Sequence, residues 1–287
     1  MPCGFRRYLG KPLRLTFQNL GERPRKALIA AASHAGTRPA EREQGWVTMR
    51  NAAAITWATC ALLSLAALPG LGASIGTLSG TVRLAGSPPA RAPMPVFKHP
   101  EVCGDSVPDD RLVVGPGGGL RYAVVTIDGV RGGKKPERDL TLVLDNRACR
   151  FEPHVQVAEV GQWLELRNSD PVLHNADARM GQETLFNVAL PPGRTLRKPL
   201  ARAGLIAIVC DVRHTWMSAF VAVTDHPYHT VTDVYGAYEI RELPPGTYTL
   251  RVWHEQLGTR EQRVTVEPGQ TATVDVTYPA RAPEGSP

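Results

Sequence analysis

The sequence predicts an all-β protein made of two sandwiches, and three observations carry that prediction. The 287 residues include 27 Gly and 25 Pro, which interrupt the chain too often for long helices. The apolar runs are short, strand-like and bounded by turn residues. The C-terminal part repeats a strand-and-turn rhythm of its own, as a separate small β unit would.

GTLSGTVRLAG, from Gly76, reads as the first strand, and the Pro-rich SPPARAPMPVFKHP after it is extended or loop. GPGGG at 115–119 is a flexible turn, followed by RYAVVTIDGV as a buried strand. GGKKPER separates this strand from the next, LTLVLDN. Residues 74–139 are therefore expected to form N-terminal strands and loops packing on the domain after them. Residues 140–225 carry VQVAEVG, WLELRNS, GLIAIVC and AFVAVTD as the clearest strands, with a tight turn at PPG 191–193. Residues 226–279 read as a small antiparallel sandwich. Here TDVYGAYEI is strand, turn, strand, and LPPGTYTLRVWHE is a turn and a long alternating strand. QRVTVEPGQTATVDVTY reads as a hairpin across Pro-Gly. The tail, 280–287, is expected to lack fixed structure.

Charge excludes one class of partner. The formal net charge is +6, but ten of the 33 Lys and Arg and three of the 27 Asp and Glu lie in residues 1–73. The remainder carries 23 basic and 24 acidic side chains, a net of −1, and presents no basic footprint for nucleic acid.

The positive excess belongs to a segment that reads as an export signal. MRNAAAITWATCALLSLAALPGLGA, residues 49–73, has a basic start, an apolar run through Ala67 and a small-residue end. The run is shorter than the about 20 apolar residues of a membrane span, and a retained signal anchor is the alternative. Residues 1–48 show no hydrophobic period. They read as an unstructured basic extension, either upstream of a true start at Met49 or as a cytoplasmic tail. The expected location is the periplasm or another exported compartment, with membrane contact only through this segment.

Removal of the signal takes Cys3 and Cys60 with it and leaves Cys103, Cys149 and Cys210. An oxidising compartment allows one disulfide. We pair Cys103 with Cys149 and leave Cys210 as a thiolate. Three buried thiols are the alternative.

Cys210 opens a cluster of ligand-type side chains. In CDVRHTWM it is joined by His214 and Met217, and His174 lies 36 residues upstream in NSDPVLHNAD. A thiolate, two imidazoles and a thioether make the ligand shell of a mononuclear blue-copper site. The spacings C-x3-H and H-x2-M let one loop turn three side chains toward one ion. Both ligand groups fall at strand ends, where a rigid scaffold displays its loops. Met217 and Trp216 are equally readable as core packing. His154 with Cys149 makes only a short C-x4-H without further partners, His226 and His229 in HPYH are spaced like surface ligands but read as a domain-junction turn, and His254 in VWHE reads as a strand end. Met180 reads as a gate or an exposed side chain near His174.

FEPHVQVAEVGQWLELRNSDPVLHNAD resembles the first half of cupredoxins, through Phe151, Pro153, Gly161, Asn168, His174 and Asn175. CDVRHTWM resembles their Cys-His-Met loop. The resemblance covers about 100 residues and implies a Greek-key sandwich with one copper ion at one end, cycling between Cu(I) and Cu(II). It implies His174, Cys210 and His214 as equatorial ligands, Met217 as the weak axial ligand and Asn175 as the residue pinning the two ligand loops together. The C-x3-H-x2-M spacing departs from plastocyanin and azurin and is similar to half of the binuclear copper loop of cytochrome oxidase. That loop needs a second Cys at position 206, which is Ile here. TDVYGAYEIRELPPGTYTLRVWHE resembles the carboxypeptidase regulatory-like domain, a transthyretin-type sandwich, through Asp233, Gly236, Pro245, Gly246 and Tyr248. That resemblance implies a spacer or adhesion module. GTVRLAG resembles the opening strand of the same domain, which leaves open a discontinuous split.

No catalytic constellation is present. There is no Gly-x-Ser-x-Gly elbow, no Gly-rich phosphate loop after a strand, no HExxH and no haem-attachment C-x-x-C-H. The expectation is a non-enzymatic, exported copper protein that transfers electrons to a redox partner protein. A copper carrier and a metal-free cell-envelope module are the alternatives.

Overall fold

The computed structural model describes residues 74–86 and 91–279. The expected extension 1–48, signal segment 49–73 and tail 280–287 lie outside the described residues. Among those described, no helix is long and apolar enough to cross a membrane.

The described residues are almost wholly β. It runs β1 Gly76–Leu84, β2 Met94–Pro95, a single helical turn α1 Pro100–Cys103, β3 Ser106–Val107, β4 Val124–Asp128, β5 Thr141–Arg147 and β6 Arg150–Glu152. It continues with β7 Val155–Glu159, β8 Trp163–Asn168, β9 His174–Met180, β10 Glu183–Leu190, β11 Thr195–Pro199, β12 Gly204–Val209 and β13 Ser218–Thr224. The last strands are β14 His229–Val231, β15 Ala237–Leu243, β16 Gly246–His254, β17 Gly258–Val266, β18 Thr271–Thr273 and β19 Val276–Tyr278.

The first sandwich is built from β5 to β13. One sheet has the order β10-β9-β12-β13-β7 and the other β11-β8-β5-β6. Alternation decides what is buried: β13 hides Ala219, Val221 and Val223 and turns the residues between them outward. Leu164 and Leu166 of β8 and Ile206 and Ile208 of β12 meet them in one core with Phe151 and Leu190. Each such aliphatic side chain stabilises the fold by about 2 kcal/mol on burial. β7 joins β13, and β5 joins β8, as parallel ladders, so distant segments are stitched side by side.

The second sandwich corrects the expected domain boundary. Residues 74–139 do not pack as one segment on the first sandwich. β1 pairs with β15, β18 and β19, and β4 pairs with β14 and β16. Leu78, Val82, Leu84, Leu120, Val125 and Ile127 share a core with Tyr238, Ile240, Leu250, Val252, Val264 and Tyr278. The reason is that β1 and β4, one in each sheet of this sandwich, turn their apolar faces into the same core. The second sandwich is therefore discontinuous, and the first is inserted between β4 and β14. Only the strap from Met94 to Val107 packs on the first core, through Met94, Val96, Val102, Cys103 and Val107.

The hairpin expected across Pro268-Gly269 is also corrected. After β17 the chain crosses to the other sheet, where β18 and β19 each run parallel to β1. Gly80 permits this, because a Cβ there would lie 1.8 Å from the Val274 carbonyl oxygen.

Cys103 and Cys149 form a disulfide that ties the strap to the first sandwich, and Cys210 is a buried free cysteine.

Candidate metal centre

The site sits where β9 begins and the β12–β13 hairpin turns. His174 is the first residue of β9, and Cys210 comes directly after the last residue of β12. Val209 pairs with Ser218, so residues 210–217 form the hairpin loop. Its ends are held by Cys210 N–H donating to the Met217 carbonyl at 3.3 Å and Met217 N–H donating to the His214 carbonyl at 2.9 Å. Arg213 takes a left-handed conformation, φ 68°, which turns His214 inward.

Three donor atoms converge. Cys210 Sγ lies 3.6 Å from His214 Nδ1 and 3.9 Å from His174 Nδ1, and the two Nδ1 atoms are 3.0 Å apart. A point equidistant from all three is about 2 Å from each, close to a metal–nitrogen bond and slightly short for a metal–thiolate bond. Both imidazoles are fully buried and Cys210 nearly so. His174 Nε2 lies 3.0 Å from Asp170 Oδ2. With its proton on Nε2, the ring turns the Nδ1 lone pair toward the other two donors. The donor set thus fits a soft or borderline transition-metal ion.

Burial favours the neutral form of both imidazoles. Burial lowers the pKa of His174, with Asp170 opposing it. Burial pushes His214 down to about 4, and the neighbouring His174 adds to the effect. Burial raises the pKa of the Cys210 thiol, while backbone hydrogen bonds from Asn175 and Val212 work in the other direction. A metal that binds here must therefore displace the thiol proton, and its binding depends on pH.

Asn175 joins the two ligand-bearing segments. Its Oδ1 accepts from Asp211 N–H at 2.8 Å, and its Nδ2 donates to Asp211 Oδ1 and, at 2.9 Å, to Asn187. Met217, the last residue of the loop, is buried in the first core. Trp216 tilts against His214 with ring centroids 5.2 Å apart.

Other sequence candidates lie elsewhere. Met180 ends β9, six residues and about 20 Å from His174, and packs against Gly204 instead. His154 pairs with Glu255, not with the disulfide-bonded Cys149. His226 Nδ1 accepts from Tyr228 N–H, and His254 Nδ1 accepts from Gln256 N–H. His229 lies 3.8 Å from Glu159.

Sequence reasoning missed three contributors. Asp170 reads in the sequence only as part of a turn, although it precedes His174 by four residues. Lys98 donates to the Val212 carbonyl at 3.2 Å, and His99 packs edge-on against His214 at 5.7 Å. Nothing in the Pro-rich strap signals these contacts, since they depend on where the Cys103–Cys149 bridge anchors it.

Fold and site together define a β-sandwich protein with a buried His–Cys–His constellation suited to a metal ion. Residues 217–279 match the family model of the carboxypeptidase regulatory-like domain. No curated protein matches the sequence. Among solved structures, the chain is similar to a Cu-containing nitrite reductase (NirK) from Thermus scotoductus SA-01. Identity is 22% and the TM-score 0.29, over 34% of this chain and 25% of that one. A purple cupredoxin from Nitrosopumilus maritimus is 23% identical with a TM-score of 0.26, over 30% of this chain and all of that one. A reduced amicyanin variant is 18% identical with a TM-score of 0.27, over 35% and 98%. This chain thus spans a quarter of the nitrite reductase, and the likeness to these structures concerns the fold alone.

Proposed function

We propose that this is an exported, non-enzymatic protein that would hold one copper ion through His174, Cys210 and His214, with Met217 as a weaker fourth ligand, and that transfers electrons. The observation that carries the reading is the convergence of Cys210 Sγ and two Nδ1 atoms, all on buried residues, within 3.0–3.9 Å of one another. Bound there, copper supplies a one-electron Cu(II)/Cu(I) couple.

The chain's own residues supply the rest. The sulfur and imidazoles suit both oxidation states, so neither state demands new ligands. Asn175 and Asp211 hold the ligand segments together, which keeps ligand movement small. Burial of both imidazoles excludes water and favours retention of the ion over ready exchange, which separates this reading from a copper carrier. Phe97 and Leu173 are exposed beside site residues in the chain, as an apolar contact for a redox partner protein would be. Such transient redox encounters bury little surface.

The test is a visible spectrum of the purified chain after addition of Cu(II). A strong thiolate-to-copper charge-transfer band is expected, and it should vanish in Cys210→Ser while the protein remains folded. Copper retention and absorption unchanged in Cys210→Ser would overturn the site at Cys210, and a wild-type chain that takes up no copper would leave the metal-free envelope module as the better reading.

A further inference from the structure

The outer shell of the site contains an irregular hairpin loop. β5 and β6 pair through Arg147 and Arg150, so Ala148 and Cys149 alone make the connection. Both have positive φ, 49° and 55°. Two-residue loops of this hand favour Asn and Gly, and neither residue is present. A break of a local rule beside a candidate site calls for a functional reason.

The N–H groups of the loop converge on one carboxylate. Ala148 N–H donates to Asp170 Oδ1 at 2.8 Å, and Cys149 N–H donates to Asp170 Oδ2 at 2.8 Å. Successive N–H groups in such a turn form a concavity for an anion. Asp170 fills it, nearly buried, and the same Oδ2 faces His174 Nε2. On its other side the loop faces the second imidazole. The Cys149 carbonyl accepts from Trp216 Nε1 at 2.9 Å, and the Trp216 ring packs on His214. The disulfide from Cys149 to Cys103 anchors the loop from outside.

We propose that Asp170, seated on the Ala148–Cys149 loop, is a positioning residue for the metal centre. It holds the His174 proton on Nε2 and leaves Nδ1 as the donor aimed at Cys210. This rests on the reading of His174, Cys210 and His214 as ligands. Asp170 acts through His174 and does not touch the ion.

Asp170→Ala and Asp170→Asn test the idea with two readouts. In the metal-free chain, nitrogen NMR shifts of the His174 ring report which nitrogen carries the proton. Wild type is expected to hold it on Nε2, and Asp170→Ala to show a mixture. Cu(I) affinity, measured by competition with a chromogenic chelator, is expected to fall 10–100-fold in Asp170→Ala. Asp170→Asn keeps an acceptor for His174 but not both N–H acceptors, and is expected to lie between. If Asp170→Ala does not fold, the same readouts on Asp170→Asn decide. An unchanged ring proton together with an affinity within about twofold of wild type overturns the proposal. If wild type binds no Cu(I), the ligand reading fails, while the ring-proton readout still judges the role of Asp170.

Discussion

His229 and His254 pose a residue-scale question far from the metal centre. Each is pushed down to about 4, chiefly by burial. His229 faces His226, Lys134 and Glu159; His254 faces His154 and Arg91. Unfolded, both take up protons near 6.5. The unfolded chain therefore binds more protons than the folded one between about 4 and 6.5, and stability rises with pH through that window. The contribution is complete above the unfolded value and is lost as pH falls toward 4. Asp109, held low chiefly by Arg111 and also by Arg91, loses its own contribution only at lower pH. The metal-free chain is expected to melt on the order of 5 °C or more lower at pH 4.5 than at pH 7.5. His229→Gln with His254→Gln should shrink the difference, with the buried His174 and His214 keeping part of it. A melting temperature level across that range in wild type would contradict neutral burial of these rings.

At the scale of the element, the turn from Asp233 to Gly236 sets how β14 hands over to β15. Asp233 Oδ1 accepts from the N–H groups of Tyr235 and Ala237 at 2.8 and 2.9 Å, and Gly236 N–H donates to the Asp233 carbonyl at 3.0 Å. Gly236 has φ 73°, and a Cβ there would lie 2.1 Å from the Val82 carbonyl oxygen of β1. Gly236→Ala combines backbone strain with a clash against the central strand. A loss of about 2–3 kcal/mol is expected, measured by urea unfolding. A loss below about 0.5 kcal/mol would mean that β1 is not held so close. This turn was legible in the sequence because Asp and Gly announce their own local geometry. The Cys210–Met217 loop was legible for a similar reason, since ligand types at short spacing declare a shared chemistry. The partners of β18 were not, and those of β1 were legible only through its resemblance to the opening strand of the regulatory-like domain. GTLSGTVRLAG shows which face is apolar but not which sheet covers it, and PGQTATVDV gives no local sign that the chain crosses between sheets instead of folding back. Asp170 was hidden similarly, because its partners on the Ala148–Cys149 loop are about 20 residues away and contact it only through the tertiary fold.

Taken as a whole molecule, the order of the segments limits which pieces are able to fold. Residues 226–279 contain most of the stretch that matches the regulatory-like family model, and by length they look like a portable domain. The strand order argues otherwise. β1 lies between β15 and the β18 and β19 ladders, and β4 lies between β14 and β16. Both sheets of the second sandwich therefore lose an interior strand when the chain is cut at 225. Leu78, Val82, Leu120, Val125 and Ile127 leave the core with them. At about 2 kcal/mol for each buried aliphatic side chain, that loss approaches the entire stability of a small domain. The fragment 226–279 is expected to be unfolded, with collapsed proton NMR dispersion and no cooperative melting. A fusion of residues 74–86 and 120–130 to 226–279 through flexible linkers is expected to restore a cooperative transition, because it returns β1 and β4 to their sheets. A folded 226–279 fragment would show that the C-terminal strands close a core unaided. In that case β1 and β4 would be additions to that core rather than strands on which it depends.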